Sequence, residues 1–164
     1  MDTSIISSAA RIGHVHLRVA DLDRATAFYR DVLGFAVTIY GPAFGMQAVF
    51  LAAGDYHHHI ALNTWESLGG SPPPPGTTGL YHLAILYPTR ADLGDALRRL
   101  MAADIGLDGA SDHGVSEALY LRDYDQNGVE LYWDRPRELW PVGADGRLNM
   151  GNARLDLKGL AAER

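Results

Sequence analysis

Glu130 stands in the middle of an alternating run, Asn127-Gly128-Val129-Glu130-Leu131-Tyr132-Trp133-Asp134, which follows the turn residues Asp123-Tyr124-Asp125-Gln126 and reads as a half-buried strand. Val129, Leu131 and Trp133 share one face; Glu130, Tyr132 and Asp134 share the other. A carboxylate on an inward face is costly unless it is paired or binds a metal, whereas a lone Glu on a strand is ordinarily solvated. Two more strand-like runs raise the same question with histidine: residues 12–19 carry His14 and His16, and residues 80–87 carry His82. A further run places His57, His58 and His59 in succession, so five of the seven histidines fall in two short stretches. Imidazoles and carboxylates ligate metals, move protons near neutral pH, or serve as solvated polar groups. Residue type alone leaves all three roles open.

The elements that must position these groups come in a repeated order. Residues 12–19 alternate, with Val15, Leu17 and Val19 on one face and His14, His16 and Arg18 on the other. Asp21 is a suitable N-cap, and Leu22, Ala25, Phe28, Tyr29, Val32 and Leu33 follow helical spacing up to Gly34, where a left-handed cap belongs. Strands follow at 35–40, 46–52 and 56–64. Residues 69–79, with four consecutive prolines and four glycines, have linker chemistry. The pattern then restarts: a strand over 80–87, Thr89 capping a helix with Leu93, Ala96, Leu97 and Leu100 on one face, a weak strand at 107–111, and strands at 117–122 and 129–134. The chain thus reads as an internal duplication of a βαβββ unit. The units span residues 12–65 and 79–134, between a leader at 1–11 and a tail at 135–164. The tail shows little periodicity before a short helix near residues 157–162.

Composition narrows the classes. The 164 residues are 47% apolar and 21% charged, ordinary for a globular protein, with a net charge of −6 that disfavours nucleic acid and anionic membrane as partners. There is no cysteine, hence neither disulfide nor thiolate metal site. No stretch approaches the roughly 20 apolar residues that span a bilayer, and residues 1–10 lack the basic and apolar regions of a signal peptide. A cytoplasmic location is the expectation.

Two βαβββ units, each opened by a histidine, resemble the vicinal oxygen chelate superfamily of glyoxalases, fosfomycin-resistance enzymes, bleomycin-binding proteins and extradiol dioxygenases. The carriers are His14-x-x-Leu17-x-Val19-x-Asp21-Leu22, Phe28-Tyr29-x-x-Val32-Leu33-Gly34-Phe35, Tyr81-His82-Leu83-Ala84 and Asp123-x-Asp125-x-Asn127-Gly128-Val129-Glu130-Leu131. The resemblance implies an α+β fold in which two modules form a cupped, mostly antiparallel sheet around a metal, with His14, His82 and Glu130 as ligands. The fourth ligand position of the superfamily falls on Ala61, which cannot ligate. Two histidines and one carboxylate with open positions are the facial set of non-haem Fe(II) oxygenases, although the same set can hold zinc.

The run His57-His58-His59-Ile60-Ala61-Leu62-Asn63-Thr64-Trp65, followed by Pro72–Pro75, is similar to catechol 2,3-dioxygenase-like proteins. It implies a proton-transfer role for His58, a place near the substrate for Tyr120, and an active-site role for His113. His16 is either a pocket residue or a core or solvated histidine, and His57 and His59 have no assigned role. Some such proteins contain four modules, and residues 135–141 resemble the connection after their first half, so a two-module form is expected. The implied activity is Fe(II)-dependent extradiol cleavage of a catechol-type aromatic diol by O2, with Mn(II) as an alternative metal and a homodimer as the expected assembly. A metal-dependent isomerase or thiol transferase of the glyoxalase type, and a protein that sequesters a small aromatic or antibiotic ligand, are the alternatives. The absence of a ligand at Ala61 counts against the first, and the presence of the triad against the second.

Overall fold

The computed structural model describes residues 5–164, so part of the expected leader lies outside the described residues. Strand β1 (Val15–Arg18) leads into helix α1 (Leu22–Ala27), which the side chain of Asp21 caps by accepting from the Arg24 amide at 2.9 Å. The helix then widens into one π-helical turn at Phe28–Val32, and Gly34 ends it at φ +88°. Strands β2 (Ala36–Tyr40), β3 (Ala48–Ala52) and β4 (Ile60–Asn63) complete the first repeat. The second repeat holds β5 (Leu83–Leu86), α2 (Arg90–Ala102), β6 (Gly109–Asp112), β7 (Ser116–Arg122) and β8 (Gly128–Asp134). Thr89 caps α2, as its position before the helical pattern predicts.

Each repeat builds its own sheet, ordered β1-β4-β3-β2 in the first and β5-β8-β7-β6 in the second. The first and last strands of each repeat pair in parallel (β1 with β4, β5 with β8), while the other neighbours are antiparallel. The parallel pairing brings the start of β5 beside the start of β8, with Leu83 opposite Val129 and Ala84 opposite Glu130.

The tail departs from the expectation of little structure before its last helix. A two-residue strand β9 (Ala153–Arg154) extends the second sheet beside β6, and helix α3 (Leu157–Ala162) packs on α2 with Leu160 fully buried. Gly94 on α2 admits the Leu160 carbonyl at a distance no side chain would allow. Two residues are too few to show alternation, which is why β9 left no periodic signal. No helix among the described residues is long and apolar enough to cross a membrane.

One apolar cluster joins the repeats, drawing Leu17, Phe28 and Leu62 from the first and Leu93, Leu97 and Leu131 from the second. Beside it lies Asp123, only 2% exposed. Its carboxylate accepts from the Tyr29 hydroxyl at 2.9 Å, from the Asp125 and Asn127 amides at 2.9 and 2.8 Å, and from Asn127 Nδ2 at 2.9 Å. Asp125 reaches back to the Ala20 amide at 3.0 Å and to Arg24 at 2.7 Å. The turn before β8 is therefore fastened to the start and middle of the first helix.

Replacing Asp123 with Ala strips the acceptor from four donors in a nearly closed site and is expected to lower stability by about 3 kcal/mol. Tyr29→Phe leaves Asp123 three donors and should cost only about 1 kcal/mol. Urea midpoints at unchanged slope measure both.

Candidate functional site: a carboxylate between histidine and tyrosine

Glu130 sits at the centre of β8, with Val129 and Leu131 on either side turned into the core and its own side chain turned away from it, 14% exposed. Tyr120 is its cross-strand partner on β7, and the two side chains meet: the Tyr120 hydroxyl lies 3.1 Å from Glu130 Oε1. On the other side, Nε2 of His82 lies 2.9 Å from Glu130 Oε2. His82 stands just before β5 rather than within it, and it reaches Glu130 because Gly128 has no side chain. A Cβ at Gly128 would collide with the Tyr81 carbonyl and press on His82 at 3.0 Å. The Tyr120 hydroxyl also lies 2.7 Å from Nε2 of His113, so His82, Glu130, Tyr120 and His113 form one continuous polar chain. Burial, and after it the Glu130 carboxylate, push the Tyr120 hydroxyl up to about 12, so it remains a neutral donor over the physiological range.

His82, Tyr120 and His113 of this chain line a cavity of about 390 Å³, within the usual size range for a small-molecule site, with Glu130 behind them. Asp108, Arg122 and Asn152 also line it, none of which sequence reasoning singled out. Arg122 and Asp108 are joined at 2.9 Å across neighbouring strands. Asn152 comes from the tail, where no motif or periodicity marks it.

The remaining histidines gather around the first sheet. The rings of His14 and His58 lie 4.5 Å apart between centroids, and His58 packs edge-on against Phe50 at 5.0 Å. His58 reaches this face because β4 begins only at Ile60, so the strand alternation that would turn it away does not apply to it. Burial, and after it the neighbouring His14, lower the pKa of His58, leaving a neutral imidazole at pH 7. Nδ1 of His57 lies 2.7 Å from Nδ1 of His58.

His16 contacts Asn63 at 2.9 Å and packs edge-on against Trp65 at 5.3 Å. Nδ2 of Asn63 can only donate, so Nε2 of His16 is an acceptor there. Nδ1 of His59 accepts from the Ala53 amide. Both contacts fit a packing role. Ala61 is fully buried, in register with His16 on one side and Phe50 on the other. The structure thus brings His82, Glu130, Tyr120 and His113 together, and His14 and His58 together, without joining the two groups. Among the described residues, no three His, Asp or Glu side chains converge as a metal would require.

Within the first group, the donor pair has the spacing of two neighbouring metal ligands. Two donors at right angles on one ion, with bonds of about 2.1 Å, lie about 3 Å apart, and Nε2 of His82 is 2.9 Å from Oε2 of Glu130. The pair is chemically suited to iron, manganese or zinc.

Comparison with known proteins places this site in context. The chain is 40% identical over 159 residues to a catechol-2,3-dioxygenase of Bacillus subtilis (strain 168), covering 96% of this chain and 53% of that protein. It is 38% identical over 126 residues to biphenyl-2,3-diol 1,2-dioxygenase 3 of Rhodococcus globerulus, covering 76% of this chain and 63% of that protein. The chain therefore spans about half to two-thirds of the length of these relatives. Among solved structures, a glyoxalase/dioxygenase from Nostoc punctiforme aligns with a TM-score of 0.65 at 21% identity, covering 83% of this chain and 99% of that one, a likeness of fold. The family model for the Glyoxalase/Bleomycin resistance protein/Dioxygenase superfamily matches residues 11–131, from before His14 to just beyond Glu130, and the chain belongs to that superfamily.

Proposed function

We propose that the protein is an extradiol dioxygenase that cleaves a catechol-type aromatic diol with O2 and Fe(II), with Mn(II) as the alternative metal. The observation that carries this reading is the His82–Glu130 donor pair beside a cavity of suitable size that His82 lines. The dioxygenase relatives support it. His14 is the third ligand by the superfamily's pattern. Its ring rests against His58 in the chain, so ligation requires it to leave that contact or to act on a neighbouring subunit of a homodimer.

Bound iron would supply a Lewis acid that favours the ionised diol and brings both substrates to one centre. The protein's own groups do the rest. His58 lies with His14 apart from the cavity; brought to the diol together with His14, and neutral at pH 7, it would accept a proton from a diol hydroxyl at one of its ring nitrogens. The Tyr120 hydroxyl lies against Oε1 of Glu130, and Oε2 is turned toward His82. His113 steadies the Tyr120 hydroxyl from behind.

Protein purified without oxygen should carry iron that is lost on His82→Ala, Glu130→Ala or His14→Ala. A Glu130→Ala protein with a full equivalent of iron would exclude the ligand set. His58→Gln should retain iron and bind catechol but turn over roughly 100-fold more slowly, with a smaller loss on nitrocatechol, whose hydroxyls are already acidic. Sedimentation should give a dimer at micromolar concentration. Where His14 acts across the dimer, mixing and refolding the His14→Ala and Glu130→Ala chains restores part of the iron binding that each has lost. If it acts within its own chain, the mixture stays empty.

A further inference from the structure

The tail forms a wall of the cavity, and one of its backbone groups sets the chemistry of His113. From Arg135 onward the chain is fastened to the second sheet. The Arg135 amide donates to the Val115 carbonyl at 2.8 Å, and its guanidinium bridges Asp112 and the buried Glu117, each at 2.8 Å. Trp140 Nε1 donates to the Arg135 carbonyl at 2.7 Å. The chain returns to the sheet edge at Gly151 and Asn152, and β9 then pairs Ala153 with Asp112 and Arg154 with Ser111.

At that return Gly151 and His113 bond to each other twice. The Gly151 amide donates to the His113 carbonyl at 3.0 Å, and Nδ1 of His113 lies 2.9 Å from the Gly151 carbonyl. A carbonyl oxygen can only accept, so Nδ1 must carry a hydrogen. A neutral imidazole then has a bare Nε2, and Nε2 lies 2.7 Å from the Tyr120 hydroxyl. A contact that short contains a hydrogen. With Nε2 bare, His113 competes with Glu130 Oε1 for the single Tyr120 hydroxyl hydrogen, and the shorter contact, 2.7 against 3.1 Å, favours His113.

We propose that residues 149–154 are part of the active site. Gly151 is a positioning residue: its carbonyl locks His113 in the Nδ1–H tautomer and so directs the Tyr120 hydroxyl toward His113, while Asn152 lines the cavity as a determinant of which ring substituents fit. The catalytic consequence rests on the dioxygenase reading; the tautomer lock does not.

The test is made first on the full metal-free chain, with histidine labelled by 15N and the His113 signals assigned by their loss in His113→Asn. The expected result is a neutral His113 protonated at Nδ1. A neutral His113 protonated at Nε2 overturns the lock, whatever the enzyme's activity. Gly151→Ala is the control, because a Cβ there meets nothing within 4 Å, and it should keep the tautomer. Gly151→Pro keeps the carbonyl but removes the amide donor that holds it against His113, and should weaken the preference for Nδ1–H. Ring-cleavage turnover should fall about 10- to 100-fold, as for other groups that orient site residues from behind. If Gly151→Pro folds and retains the Nδ1–H form undiminished, Gly151 is not the lock. If it does not fold, the measurement on the parent chain decides alone. Asn152→Ala should change the preference between catechols methylated beside the diol and catechols methylated one carbon further round the ring. The readout is the ratio of the two specificity constants, taken with the His113 signals unmoved, and an unchanged ratio removes Asn152 from the proposal.

Discussion

A buried carboxylate is tolerable only when donors surround it, and Asp123 meets that condition by drawing on both repeats at once. Three of its four bonds shape the turn that launches β8; the fourth comes from Tyr29, deep in the helical segment of the first repeat. The arrangement couples a local event to a distant one. The turn cannot relax without orphaning Tyr29, and the helix cannot shift without leaving a charge short of donors in the interior. Because Glu130 lies two residues beyond Gly128 on the strand this turn begins, its position along β8 is inherited from a contact with the other half of the molecule.

Glu130 shows the same logic in a wetter setting. It has one oxygen against an imidazole and the other against a phenol, and each neighbour is itself held by backbone geometry: His82 by the parallel pairing of β5 with β8, Tyr120 by the antiparallel register of β7 with β8. Loops would leave such a set loose by an ångström or more; strands on both sides do not. The first sheet instead gathers imidazoles, and at His58 and His16 burial, and after it the neighbouring His14, favours neutrality. One half of the chain therefore presents a carboxylate between an imidazole and a phenol, the other a cluster of imidazoles in which His58 and His16 are biased toward the neutral form.

The strands with clear alternation were legible in the sequence because each buries one face, as Leu17 in β1 with Val19 just beyond it, and Val129 and Leu131 in β8, show. Both helix caps were legible as well, since Asp21 and Thr89 are placed by chemistry local to the chain. Strand ends were less so. Alternation begins before hydrogen bonding does, and His82 and His58 both precede the strands in which their patterns place them. At the site, the meeting of His82, Glu130, Tyr120 and His113 could be anticipated from family resemblance. The part played by Asn152 and Gly151 could not, because a backbone carbonyl has no residue type to read and a two-residue strand has no period. The neighbour of His14 was equally hidden: which side chain an imidazole rests against at the edge of a sheet depends on loop geometry that no spacing encodes.

Gly128 has a bearing on how this site can change. The distance between the two candidate donors is governed not by either donor but by how closely the Tyr81 backbone approaches β8, and that approach exists because position 128 has only hydrogen there. Either candidate donor could be exchanged for another polar residue while the scaffold stays serviceable. A methyl group at position 128 would separate the donors without altering either. The most constrained position of the site is thus one with no chemistry of its own, and a search for variants confined to the polar residues would pass over it.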